Sequence, residues 1–314
     1  MTSLYTVVQV DRVWALDVEP VGAKRKFWYR PGGVADGDKW LFKADERIAG
    51  NQDRIGTGED WAEKVACEIC SLLGIPHIKY ELAVEVQSGV PGSVSRNFAA
   101  APNVLVLGNQ LMLERDPACP AHNAQKYKAR EHTVDAVLET VAKLQPPPTK
   151  FCQRLPDGIV SASDVFVGYV MLDALIANQD RHHQNWGALR SEQVTQLAPT
   201  FDHGASLARN EPDVTRAKRL HGSDPGFGIV PFSEKARSSF YDGGKKTLKT
   251  YAAFQAMADR KPDAAKRWLS RLSELSEIDF QSILDSIPAE RMTAIAREFT
   301  LKLILVNLNR LLRV

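Results

Sequence analysis

DALIANQDRHHQNWG, residues 173–187, followed by LAPTFDHGASL, residues 197–207, sets two clusters of polar side chains directly behind two apolar runs. The first run, DVFVGYVMLDALIA at 164–177, reads as a helix, and the second as a short strand. Polar loops at the ends of buried elements are where a rigid scaffold presents functional groups. Asp180, Asn185 five residues on, and Asp202 supply three oxygen donors on adjacent loops. Phosphoryl transfer from a nucleotide asks for such a set: a carboxylate to orient the attacking hydroxyl, oxygen ligands for magnesium, and a cation on the phosphates. Magnesium takes hard oxygen ligands and completes its shell with water and phosphate oxygens. An aspartate in a loop is commonly a turn or cap residue, so the order and spacing of the three carry the reading.

The cation appears upstream. YTVVQV (5–10), KFWYR (26–30) and KWLFKA (39–44) are short, β-branched and aromatic, and separated by Gly, Pro and Asp, as strands joined by turns are. Lys43 lies inside the third of them, and a lysine on a buried strand needs a carboxylate partner. TGEDWAEKVACEICSLLGIP (57–76) supplies one on a helix, with Trp61, Val65, Ile69 and Leu72 at helical spacing. Thr57 is expected as its N-cap, and Gly74 with Pro76 as its stop. Glu63 on that helix is the expected partner of Lys43, and the pair would hold an ammonium against nucleotide phosphates. VGAKRKFWY (21–29) sets Gly22 and three basic residues before a strand, where a turn can lay backbone N–H groups and Lys24 or Lys26 on phosphate. A basic surface hairpin accounts for that stretch equally well.

Strand signals return in IKYELAVEV (78–86) and GSVSRNF (92–98), and after residue 100 the pattern is helical to the end, broken by the rigid QPPPTK at 145–150. The expected class is α+β: a small β-rich lobe with one helix at 1–98 and a larger helical lobe at 99–314. With 44% hydrophobic residues, 314 residues can bury one large core or two smaller ones. Forty basic against 38 acidic residues, a net charge of +2, give no reason to expect direct nucleic-acid binding. No stretch approaches the roughly 18 apolar residues of a membrane span, and the N-terminus lacks the pattern of a signal peptide. A soluble cytoplasmic protein without membrane attachment is expected.

Four motifs together, LFKADER (41–47), TGEDWAEKVACEICSLLGIP, DALIANQDRHHQNWG and LAPTFDHGASL, resemble the HipA-like bacterial serine/threonine kinases. These are relatives of the protein kinases and, through their DRH-x-x-N loop, are distantly similar to the phosphatidylinositol kinases. The resemblance runs from about residue 20 to the C-terminus and implies a two-lobed protein-kinase-like fold using ATP and Mg2+. It implies Asp180 as catalytic base, Asn185 and Asp202 as magnesium ligands, Lys43 on the phosphates with Glu63 as its partner, and His182 bracing the loop or reaching the nucleotide. Glu68 is the other glutamate offered by the helix, and counting back from its Leu-Gly end favours Glu63. Ser95, Asn97 and Phe98 fall where the resembling proteins join their lobes and hold adenine. Asp202 is followed by His203 and Gly204, where protein kinases carry DFG, which argues against a Phe-driven switch. Longer HipA toxins have an extra N-terminal subdomain, so a compact stand-alone member is expected. A protein substrate and an antitoxin or regulatory partner follow from the resemblance. Its alternatives are a small-molecule or lipid acceptor, or a nucleotide-binding pseudokinase acting as an interaction module.

Other signals read more simply. Cys67 and Cys70 form a CxxC inside a helical pattern, whereas a redox pair sits at a helix N-terminus, so buried cysteines are expected. His182, His183 and His203 invite a zinc reading, but adjacent residues do not easily face one ion. TRAKRLHGSDPGFGIVPFSEKAR (215–237) reads as a mobile basic connection in the position of an activation or substrate loop, with Ser223 as a candidate phosphorylation site. LKLILVNLNRLL (301–312), apolar on nearly all sides, reads as a buried helix.

Overall fold

Residues 3–18, 25–48, 54–119, 129–152 and 154–313 are described by a computed structural model. The chain opens with β1 (Val7–Val10), β2 (Ala15–Val18), β3 (Lys26–Tyr29) and β4 (Trp40–Ala44). A two-residue pair, β5 (Arg47–Ile48) and β6 (Arg54–Ile55), leads into α1 (Glu59–Leu73), β7 (Tyr80–Glu85) and β8 (Pro91–Arg96). Six of these strands form one sheet in the order β1-β7-β8-β4-β3-β2. β1 runs parallel to β7, and the other neighbours are antiparallel.

Alternation along β4 divides its side chains between the two faces of the sheet. Phe42 and Ala44 pack with Phe27, Tyr29 and Val94 on one face. Lys43, in register with Lys26 and Ser93, turns to the other, which α1 covers through Trp61, Val65, Ile69 and Leu73. The start of α1 differs from the expected Thr57 cap. Gly58 occupies the cap position with φ 74°, and a Cβ there would meet the Trp61 indole at 2.5 Å. The orphan N–H groups of Thr57, Gly58 and Glu59 donate to the Asp45 carboxylate at 2.9–3.2 Å, and the Thr57 hydroxyl donates to it as well. Asp45 lies in LFKADER, so a carboxylate twelve residues upstream of Thr57 caps the helix, which no local reading would find.

Helices dominate the rest: α2 (Gly108–Arg115), α3 (Val134–Val141), α4 (Ala162–Leu175), α5 (Asp213–His221), α6 (Ile229–Glu234), α7 (Thr250–Arg260), α8 (Pro262–Ser273), α9 (Glu277–Asp285) and α10 (Ala294–Leu311). Every residue of α4 except Asp164 is buried, as a helix without a polar face requires. Ser161 and Asp164 close its capping box. Gly168 lets it approach α8, since a Cβ there would lie 2.5 Å from the Trp268 indole. α10 buries Leu303, Ile304, Leu308 and Leu311, as expected of a buried helix. No described helix is long and apolar enough to cross a membrane.

Two small sheets in this part were not expected from the helical pattern. β9 (Val104–Leu107), β10 (Gly187–Arg190) and β11 (Thr195–Leu197) form one, and β12 (Arg237–Tyr241) with β13 (Thr247–Lys249) the other. β10 pairs with a strand about eighty residues earlier, and strands of three or four residues carry too little period to read. The stretch after Asp202 is likewise more ordered than the mobile connection expected. Arg216 of α5 donates to the carbonyls of Ala208 and Arg209, and the Arg219 guanidinium lies over the rings of Phe227 and Phe232 at 4.2 and 4.4 Å. Arg291, ahead of α10, ties the two parts together by donating to Asp60 of α1 at 2.8 Å and to the Ala83 carbonyl of β7 at 2.7 Å.

Candidate functional site

Lys43 stands where the sheet meets the helical part. Its ammonium donates to Glu63 Oε1 at 2.9 Å and to Asp202 Oδ1 at 2.7 Å. The Lys43 side chain is 13% exposed and that of Glu63 1%, whereas Asp202 keeps 40% of its side chain in solvent. The second oxygen of Glu63 accepts the backbone N–H of His203 at 2.8 Å, so one glutamate holds both the lysine and the turn that carries Asp202. Enclosure pushes the Asp202 carboxyl up, but the charge and hydrogen bond of Lys43 outweigh it and hold the group well below the usual carboxylate range. Burial pulls the Lys43 ammonium down, and Asp202 and Glu63 more than reverse this, so it stays charged. Glu68, the glutamate passed over, pairs with Lys64 at 2.7 Å instead.

The second cluster hangs from the end of α4. Asn185 Nδ2 donates to the Asp180 carbonyl at 2.7 Å and to Asp180 Oδ2 at 3.2 Å, and His182 Nε2 lies 3.6 Å from Asp180 Oδ1. Arg181, buried to 1% exposure, makes a bidentate pair with Asp173 at 2.8 Å and donates a further N–H to the Asn185 carbonyl at 3.0 Å. Asn178 adds a bond to the same carboxylate at 2.7 Å. Asp173 therefore anchors the whole loop. No role was expected for Asp173 or Arg181, although a carboxylate in the interior of the apolar helix 164–177 and a lone arginine in the loop after it were the available signal.

The backbone around both clusters is strained. Ala177, Asp202, Leu207 and Ala208 hold φ of 50–60° without being glycine, at a cost of roughly 1–3 kcal/mol each. Leu207 N–H donates to the Ile176 carbonyl at 2.8 Å, joining the two loops. Arg209 spans the Gly204 carbonyl, the Thr57 carbonyl and Glu59, fastening the second loop to the start of α1. Strain held by such contacts is a common property of functional sites.

The donor set suits magnesium. Asn185 spends its amide N–H groups on Asp180, which leaves Oδ1 as its acceptor. Asp202 spends one oxygen on Lys43 and keeps the other on a partly exposed side chain. Two hard oxygens completed by phosphate and water are the usual magnesium arrangement. Among the described residues no group of three or more His, Cys, Asp and Glu is placed to hold a metal.

The remaining candidates divide. Lys26 pairs in register with Lys43, and its charge helps to lower the Asp202 carboxyl. Gly22 and Lys24 lie outside the described residues. Ser95 is buried opposite Leu41 and Tyr80, Asn97 N–H donates to the Lys39 carbonyl at 2.8 Å, and the Phe98 ring packs on Phe201 at 5.5 Å. Cys67 and Cys70 are free and buried on α1, as expected, and burial pushes the Cys67 thiol up to about 12. Ser223 is exposed just past α5.

Beneath the loop of residues 178–185, His132 is fully enclosed. Its Nδ1 donates to the Ser239 carbonyl at 3.0 Å, its Nε2 accepts from Trp186 at 3.1 Å, and its ring stacks on Phe240 at 4.6 Å. Burial lowers its pKa to about 3. A histidine neutral in the fold but protonated in the unfolded chain contributes stability above the unfolded pKa, and that stability is lost as pH falls from about 6.5 towards 3. Urea unfolding should therefore show a loss of about 2 kcal/mol from this residue between about pH 7.5 and pH 5. His132→Gln should flatten that slope; an unchanged slope would place the titration elsewhere.

No protein-family model matches the sequence, and no curated protein matches it. Solved structures do share the fold. A Helicobacter pylori proinflammatory kinase, CtkA, superposes with a TM-score of 0.71 at 20% identity, covering 98% of each chain. HipA of Shewanella oneidensis MR-1, solved with HipB and operator DNA, superposes with a TM-score of 0.55 at 10% identity. That match covers 95% of this chain and 65% of HipA. The chain thus shares the α+β fold of these two solved proteins, the fold class that its motifs led us to expect. No similarity to phosphatidylinositol kinases accompanies it among these findings.

Proposed function

We propose that this chain is an ATP- and magnesium-dependent kinase that moves the γ-phosphate to a serine or threonine hydroxyl of a protein. The observation that carries the reading is Lys43, held at 2.9 Å by Glu63 and at 2.7 Å by Asp202 where the sheet meets the helical part. A charged ammonium between a buried carboxylate and a half-open one is built to neutralise phosphates while Asp202 stays ionised to hold a cation. Asp180 orients the acceptor hydroxyl and takes its proton, steadied by Asn185 and His182. Asn185 and Asp202 would hold magnesium, which would supply positive charge to neutralise the phosphates. Lys26 adds charge near the phosphates, and Ser95, Asn97 and Phe98 hold the adenine at a lobe boundary near residue 98.

The likeness to a kinase over the full length supports the reaction class, and the HipA neighbour, solved with HipB, supports an antitoxin-type protein partner for this chain as well. Incubation with γ-labelled ATP, magnesium and a bacterial lysate, followed by mass-spectrometric mapping, tests the reading. Labelled serine or threonine sites that vanish with Asp202→Ala are expected. Label confined to a lipid or small-molecule fraction would overturn the protein acceptor. An absence of labelling and of ATP hydrolysis would overturn catalysis itself and leave a binding module.

A further inference from the structure

We propose that a cavity away from Lys43 is a docking site for an acidic, partly apolar peptide segment of a partner protein. The cavity, of about 1140 Å3, lies between the end of α1, the entry to β7, the end of β8, residues 150–157 and α8, and none of Lys43, Asp180 or Asp202 lines it. Strand alternation separates the two places. Tyr80 turns its ring towards Lys43, 6.0 Å away, whereas Lys79 and Glu81 on either side of it line the cavity.

Charge identifies the occupant. The four carboxylates in the wall are each matched: Asp38 by Arg96, Glu81 by Lys64, which also serves Glu68, Asp157 by Arg154, and Glu274 by Arg271. Lys79, Lys150 and Arg267 also line it and have no carboxylate partner among the described residues. Lys150 lies over the Phe151 ring at 5.0 Å, and Arg267 reaches only the Asp157 carbonyl, at 2.9 Å. These three cations come from three separate elements, and Trp40, Phe98, Ile78 and Phe151 provide apolar surface in the same wall. The volume exceeds the roughly 300–1000 Å3 of small-molecule sites, and unpaired cations beside apolar side chains complement a chain segment carrying both carboxylates and apolar side chains. A continuous phosphate backbone is disfavoured by the acidic residues interleaved in the wall.

The cavity also touches the supports of the phosphate site. Phe98 packs on Phe201, next to Asp202, and Ile78 N–H donates to the Thr200 carbonyl at 3.1 Å. Asn97 and Phe98, which the proposed function places on the adenine, also line this wall, so the test is read on Lys79, Lys150 and Arg267, which the phosphate site does not use.

The test is fluorescence anisotropy of the full chain with a fluorescein-labelled peptide of alternating glutamate and phenylalanine. Saturable binding that weakens with salt is expected, together with a loss of about tenfold or more in Lys79→Glu/Lys150→Glu. A lysine–phenylalanine peptide should not bind. Thermal melting checks that the variant is folded; if it is not, Arg267→Glu is read in the same way. The proposal is overturned by equal affinity in the folded variant, by no saturable binding, by displacement with inorganic tripolyphosphate, or by tighter binding of oligouridylate.

Discussion

Asp180→Asn should lower the rate of phosphate transfer by roughly 10^2- to 10^4-fold, the usual contribution of a positioned general base, while leaving nucleotide affinity within about twofold of the parent. The substitution keeps the shape of a side chain that accepts Asn185 Nδ2 at 3.2 Å and is approached by His182 at 3.6 Å. What it removes is the acceptor for a proton. Initial rates with labelled ATP and titration with a non-hydrolysable analogue separate the two quantities. Equal rates in parent and variant would remove Asp180 from its assigned role, and a parallel loss of affinity would make it a binding residue instead.

Asp173→Ala should cost roughly 3–5 kcal/mol of stability, because it leaves the Arg181 guanidinium buried without its carboxylate. Arg181 is 1% exposed and Asp173 4%, and the same carboxylate also receives Asn178. Replacing the pair together, Asp173→Leu with Arg181→Met, should recover much of that loss, since an apolar pair carries no desolvation penalty. Urea unfolding of the two single variants and the double variant measures the coupling. A cost below about 1 kcal/mol for Asp173→Ala would show that Arg181 finds another partner or reaches water. The pair also explains the rigidity of the site: Arg181 grips the Asn185 carbonyl, so the loop that carries both Asp180 and Asn185 is braced from within the helix core.

The Lys43–Glu63 pair was legible because both residue types are costly to bury alone. Lys43 on an apolar strand demanded a carboxylate, and helical counting from the Leu-Gly end of α1 selected Glu63 over Glu68. The geometry agrees, with Glu63 on Lys43 and Glu68 on Lys64. Residues whose task is to hold others left a weaker signal. Asp45 caps α1 through backbone groups that carry no side-chain signature, and Arg209 reaches Thr57 and Glu59 across about 150 positions of sequence. The order of the stretch after Asp202 was equally hidden, since a basic run rich in glycine and proline is held by carbonyls and aromatic rings contributed from elsewhere.

Local chemistry was sufficient for the α+β class, the main strands of the large sheet, α1, α4, the buried C-terminal helix, and the pairing of Lys43 with Glu63. Each of these follows from side-chain periodicity or from the cost of burying charge, which act over a few residues. Only the tertiary structure decided that one glutamate would hold both Lys43 and the His203 N–H, that Asp173 would anchor the loop beneath Asp180, and that Lys79, Lys150 and Arg267 would share one cavity wall. These arrangements depend on contacts between segments far apart in the chain, and hydrogen bonds and charge pairs made at that distance leave no period for a sequence to display.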